Sequence, residues 1–227
     1  MSGARATLPT VQHVRVSAAV TEAELSTDGE IVAVVAGRSD AYHDVALHWT
    51  VLAMLLVLAL LAWQPAPVEW LHARLIDAWS DTPPRWYLTF ALVLMAVTFL
   101  VARVVLAIDA LRIALTPGAT KSRRVNRRAL TLFRTAAEKR TKASTGVLLY
   151  LSLAEHRAEI IADESIHSKV AADVWGEAMA ALILAVRDGR PGDGLAEAVA
   201  QIGKVLAEHF PRSEGDTNEL PDRLIEL

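Results

Sequence analysis

Apolar residues fall into three patterns along the chain. Two runs are apolar at nearly every position: residues 45–63, VALHWTVLAMLLVLALLAW, and residues 86–107, WYLTFALVLMAVTFLVARVVLA. At about 1.5 Å of rise per residue, roughly 20 residues cross ~30 Å of hydrocarbon. Both runs are long enough, and apolar faces all round suit lipid better than a one-sided core helix. Ser39 or Asp40 is placed to cap the helix leading into the first run. Pro65, Pro67, Pro83 and Pro84 suit helix ends, and residues 68–79 between them read as a short interfacial helix.

The second pattern is shorter and strand-like. Residues 30–36, EIVAVVA, are rich in β-branched residues and read as a strand, and 147–153, VLLYLSL, is a continuous apolar run that reads as a central strand. A short reversal, AEHR at 154–157, leads to AEIIAD at 158–163, which reads as an antiparallel partner. The third pattern is helical. Residues 126–140 place Ala129, Leu132, Phe133, Ala136 and Ala137 on one face and arginines on the other. Residues 171–189 and 192–210 read as two further helices, the second with Asp193 as N-cap and Pro211 as its stop. Ahead of the first strand, an amphipathic helix ends at the turn Thr27-Asp28-Gly29.

A two-stranded ribbon is marginal by itself, and a lone strand leaves its backbone groups unpaired. Residues 30–36 and 147–153 are therefore expected to lie side by side and parallel, with everything between them as the crossover. Two spans return the chain to the side it left, so a membrane hairpin permits that pairing. The expected fold is an α/β soluble domain with a three- to four-stranded mixed sheet and flanking helices. A two-helix transmembrane hairpin is inserted after its first strand. The domain limits are 1–38 for the first helix and strand, 39–117 for the hairpin, and 118–227 for the remainder of the domain and the C-terminal tail.

Charge sets the direction. The chain of 227 residues is 53% hydrophobic yet 22% charged, a mixture that suits a membrane part joined to a water-soluble one. Arg112, Lys121, Arg123, Arg124, Arg127, Arg128, Arg134, Lys139, Arg140 and Lys142 follow the second run, with Glu138 opposing them. The positive-inside rule puts this segment, and with two spans both termini, in the cytoplasm. Trp49, Trp63, Trp70, Trp79 and Trp86 lie in or beside the spans, as an interfacial belt requires. Arg103 and His48 sit near the cytoplasmic ends of the spans, where a long basic side chain snorkels to headgroups. Residues 1–10 lack the apolar core of a signal peptide, so the first run reads as a retained anchor. The net charge of −3 does not point to nucleic acid, and the basic run is expected to touch anionic lipid. With no cysteine, disulfides, zinc–thiolate sites and thiol catalysis are excluded.

The layout resembles the TPM domain family over both soluble parts. The residues that carry the resemblance are Thr27-Asp28-Gly29-Glu30-Ile31, Leu132-Phe133, Gly146-Val147-Leu148-Leu149, and Arg157 at the hairpin. The stretch HFPRSEGDTNELPDR is similar to the tail of bacterial membrane-anchored members. The family's Gly-Tyr-Gly-Leu-Glu-Gly stretch after the third strand is replaced by ADESIHSKV, which lacks glycines for close backbone approach. The acidic residue that follows in the family pattern matches Asp173. The resemblance implies acid-phosphatase activity, divalent-cation binding, or the assembly and maintenance of membrane complexes.

Candidate chemistry is confined to one place. Asp163, Glu164, His167 and Asp173 lie at a strand end and helix start, where carboxylates can collect a hard cation such as Ca²⁺ or Mg²⁺. Asp188 and Asp193, in RDGRPGDG, can approach the same edge. The alternative is ordinary: Asp173 and Asp193 cap helices, and Asp163 and Glu164 are solvated turn residues. Arg157 and Lys169 are the cations available to a phosphate. There is no Gly-rich phosphate loop, G-x-S-x-G elbow or H-E-x-x-H helix. The expectation is a two-pass protein of the bacterial cytoplasmic (inner) membrane. Its TPM-like domain is an accessory or interaction module for other membrane proteins, and its partners are lipids and membrane proteins, not nucleic acid. The alternative is a divalent-cation-dependent phosphatase.

Overall fold

The computed structural model describes residues 8–76, 79, 81–136, 145–214, 220 and 222–227. The chain divides into two compact units, Met1–Asp40 with Gly118–Leu227, and Ala41–Pro117.

The first unit contains α1 (Thr10–Glu24), β1 (Glu30–Ala36), α6 (Gly118–Ala136), β2 (Gly146–Ser152), β3 (Arg157–Ala162), α7 (Glu164–His167), α8 (Gly176–Arg187), α9 (Pro191–His209) and β4 (Ile225–Glu226). Its sheet has the order β3-β2-β1-β4. β1 runs parallel to β2, from Glu30 against Gly146 to Ala36 against Ser152. β1 is also parallel to β4, and β2 is antiparallel to β3.

Side chains alternate across a strand, and here both faces are covered. Ile31, Ala33, Val35, Val147, Leu149 and Leu151 share a core with Val16 and Val20 of α1, Leu182 of α8, and Leu195, Ile202 and Leu206 of α9. The opposite face, with Val32, Val34, Leu148 and Tyr150, packs on Val125, Ala129 and Phe133 of α6. This double burial is why IVAVVA and VLLYL, residues 31–36 and 147–151, are apolar throughout. The helices α1 and α9 approach closely at Gly203, where an added Cβ would lie 2.6 Å from the Cβ of Ala23.

Several expected boundaries move. Residues 171–189 are not one helix: a 3₁₀ turn over Ala172–Trp175 comes first, with the Trp175 ring buried, and the α-helix starts at Gly176. The last long helix begins at Pro191, so Asp193 lies inside its first turn and is not its N-cap. Proline's fixed φ and missing N–H suit that first position. The amphipathic helix expected over 126–140 begins already at Gly118, and the expected positions 137–140 lie outside the described residues. The N-cap position of the helix His43–Trp63 is held by Tyr42, not by Ser39 or Asp40. Instead the Ser39 hydroxyl lies 3.0 Å from the Tyr150 hydroxyl, and Arg124 donates to Asp40 at 2.6 Å.

The second unit contains α2 (His43–Trp63), α3 (Ala66–Leu75), α4 (Pro84–Val105) and α5 (Asp109–Ala114). The helices α2 and α4 are each long and apolar enough to cross a membrane. No described residue of α4 is buried. At the far end of this hairpin His72 meets Trp86 edge-on at 5.2 Å, and the Tyr87 hydroxyl donates to Glu69 at 3.0 Å. Trp63, Trp70 and Trp79 are exposed at that same end.

Two predictions follow from the sheet and its surroundings. Residues 118–227 alone are expected to give no cooperative unfolding transition, because they lack the strand between β2 and β4. Joining residues 1–38 to 118–227 through a flexible linker restores the transition, as urea denaturation followed by circular dichroism would show. The other concerns Glu24, which accepts the Ile31 N–H at 2.8 Å. Burial, joined by the nearby negative charges of Asp222 and Glu30, pushes its carboxyl from 4.5 up to about 8. The folded state thus keeps a proton that the unfolded chain releases. This contribution to stability is complete below pH 4.5 and is lost as pH rises towards about 8. Glu24→Gln should remove that fall, so the variant gains on wild type between about pH 5 and 8 in urea midpoints of the full chain in detergent.

Candidate functional site

The four residues singled out from sequence are near one another along the chain but do different things. Asp163 follows β3 and is buried. Its Oδ2 accepts the Gly146 N–H at 3.0 Å, while its own N–H donates to the Gly146 carbonyl at 3.0 Å. The carboxylate thus fastens the start of β2 to the end of β3. Glu164 and His167 are exposed on α7, and Asp173 is exposed in the 3₁₀ turn. Among the described residues, no three His, Asp or Glu side chains gather closely enough to hold a metal ion.

The neighbouring candidates are engaged by cations. Arg190 reaches Asp188 at 3.3 Å and Asp193 at 3.7 Å, and Arg15 reaches Asp193 at 2.5 Å. The Lys169 Nζ lies 4.3 Å from the centre of the Phe210 ring, a cation–π contact.

A different place has the shape of a binding site. β3 is an edge strand, and a groove of about 750 Å³ runs between it and α8. Arg157 and Glu159 of β3 line one side, and Met179, Leu184 and Arg187 of α8 line the other. One end is closed by the β2–β3 turn, where His156 adopts a positive φ of 49°. That turn is held rigidly by Glu155, which is buried and accepts the Ser39 N–H at 2.9 Å and the Ser152 hydroxyl. The Nε of Arg157 is buried and has no hydrogen-bond partner among the described residues.

An apolar floor with Arg187 beside it therefore lies next to an unpaired strand edge, while the Arg157 guanidinium lies on the α6 side of the sheet, its Nη2 3.4 Å from where a Cβ on Gly118 would be. Such an edge offers backbone N–H and C=O groups to an incoming extended segment. Arg187 adds charge-assisted donors for a carboxylate or phosphate. Nothing in the groove combines a nucleophile with a positioned base.

Sequence reasoning singled out Arg157 but missed the α8 wall. The signal was present in GEAMAALILAVR, whose apolar residues are too many for one buried face. Leu182 and Val186 fill the core, and Leu184 is left 60% exposed.

The family model of the TPM domain matches residues 104–205. No curated protein matches the chain. Among solved structures, the NMR structure of BA42 protein from the psychrophilic bacterium Bizionia argentinensis is similar, with a TM-score of 0.56 and 18% identity over all of both chains. At that identity the likeness concerns the fold. The family match, together with the mixed four-stranded sheet and its flanking helices, identifies the chain as one that carries a TPM domain.

Proposed function

We propose that the protein is a two-pass protein of the bacterial cytoplasmic membrane, with both termini in the cytoplasm, whose TPM domain is an accessory module for other membrane proteins. The observation that carries this reading is the groove between the β3 edge and α8. Its strand edge, exposed Leu184 and Arg187 match an extended partner segment bearing an acidic side chain or a C-terminal carboxylate. Binding by strand addition takes its affinity from the backbone and its selectivity from the flanking side chains, as an assembly or maintenance factor needs.

The membrane placement is supported by the two apolar helices, the exposed tryptophans at the far end of their hairpin, and the basic residues that follow α4. The cation-dependent phosphatase reading rests on the family resemblance and on Asp163, Glu164, His167 and Asp173 as ligands for Ca²⁺ or Mg²⁺. The bond between Asp163 and Gly146 and the exposure of the other three favour the interaction module.

The test uses the full chain, tagged and purified from membranes. Wild type should retain specific membrane proteins. Arg187→Glu and Leu184→Asp, both on exposed positions, should reduce that recovery at least about ten-fold without lowering the melting temperature, a loss equivalent to ~1.4 kcal/mol. Turnover of a generic phosphate ester that needs Mg²⁺ or Ca²⁺ and disappears in Asp173→Asn would establish the enzyme instead. Extraction of the chain by alkaline carbonate, or an active C-terminal reporter outside the cell, would overturn the membrane placement.

A further inference from the structure

The hairpin unit contains a second cavity, of about 360 Å³, where α2 begins and α4 ends. Its lining has two kinds of surface. Leu47, Phe99 and Leu106 make an apolar side, and His43, Arg103 and Arg112 make a basic side. Among the described residues no carboxylate lines it.

Arg112 gives the cavity its character. Its side chain is more than nine-tenths buried. One terminal nitrogen donates to the Leu106 carbonyl at 3.1 Å, and the other is held by Asp109. These two contacts fix the guanidinium plane and leave the Nε, which is buried, with no partner among the described residues. A buried N–H of a charged group without an acceptor costs free energy, so a site that keeps one is suited to an acceptor from outside. Asp109 balances one of the two arginines. Arg103, in the last turn of α4 and exposed, makes no ion pair among the described residues.

We propose that this cavity binds the phosphate of an anionic phospholipid, with the phosphate between Arg103 and Arg112 and an acyl chain against Leu47 and Phe99. The proposal rests on the membrane placement of the hairpin. The shared chemistry is a phosphate anion, and the apolar side assigns it to lipid over free phosphate. Arginine suits the role because its planar donors match phosphate oxygens. The site also differs from a smeared electrostatic attraction between basic residues and an anionic leaflet, because Arg112 is buried and its guanidinium is held at both terminal nitrogens.

The experiment uses the full chain in a neutral detergent, with short-chain phospholipids read by native mass spectrometry and by melting temperature. Dihexanoyl phosphatidylglycerol should bind at least about ten-fold more tightly than dihexanoyl phosphatidylcholine. Arg103→Gln, at an exposed position, should weaken the phosphatidylglycerol complex about five-fold, in line with ~1 kcal/mol per basic residue near an anionic surface. Arg112→Lys keeps the charge but removes the Nε, and should weaken it similarly. Arg85→Gln, at the far end of the hairpin, should leave it unchanged. Equal binding of the two lipids, or equal loss in Arg85→Gln and Arg103→Gln, would overturn the site. Inorganic phosphate competing with the lipid at equal concentration would overturn the lipid assignment, and failure to compete supports it. Because lipid binding is read in detergent, failure of the membrane placement appears separately, in carbonate extraction.

Discussion

The parallel pairing of β1 with β2 is the constraint from which the other arrangements follow. β1 lies between β2 and β4 and is buried on both faces, so the sheet has no core without it. Parallel neighbours cannot be joined by a tight turn. Here the connection from Ala36 to Gly146 contains the whole hairpin unit. Any membrane crossing within such a connection must be made an even number of times, or the two strands would end on opposite sides. The pairing of two seven-residue strands thereby limits the topology of the apolar helices between them.

Buried and half-buried polar groups of the first unit serve the same arrangement. Glu30 accepts the Leu220 N–H at 3.2 Å, Glu226 accepts the Leu8 N–H at 2.9 Å, and the Ser17 hydroxyl accepts the Leu224 N–H at 3.1 Å. Thr27 donates to the Phe210 carbonyl at 2.6 Å. Each bond ties the N-terminal segment to a residue from the C-terminal end of the chain. Such pairings meet the hydrogen-bonding needs of segments that are not paired along their length by the sheet. They also explain carboxylates that look available for chemistry in the sequence but carry backbone N–H groups in the fold.

What was legible depended on how local the signal was. The two central strands could be read because double burial makes nearly every position apolar, with Glu30 and Ser152 the exceptions at their ends, and the reversal around AEHR marked their antiparallel neighbour. β4 could not be read: it is Ile225–Glu226 alone, and its order comes from Leu227 donating to Val35 and Gly37 donating to Leu227. The break before Gly176 was hidden because Trp175 is as apolar as its helical neighbours, and only packing shows that its ring anchors a separate turn. For the candidate site, Arg157 was visible at a hairpin. The groove was not, because it needs the β3 edge and α8, which lie apart in sequence. Asp163 was visible as an acid but its role was not, since its partner is an N–H on the neighbouring strand.

The long connection between β1 and β2 also has a consequence in time. When β1 leaves the ribosome, its partner has not been made. Roughly a hundred residues must follow before β2 emerges, which at about 5–20 residues per second takes about 5–20 s. Throughout that interval a strand of EIVAVVA is unpaired while very apolar helices are being synthesised behind it. Apolar, low-charge segments of this kind aggregate readily. The first strand can therefore take its place in the sheet only after the helices that follow it have been made.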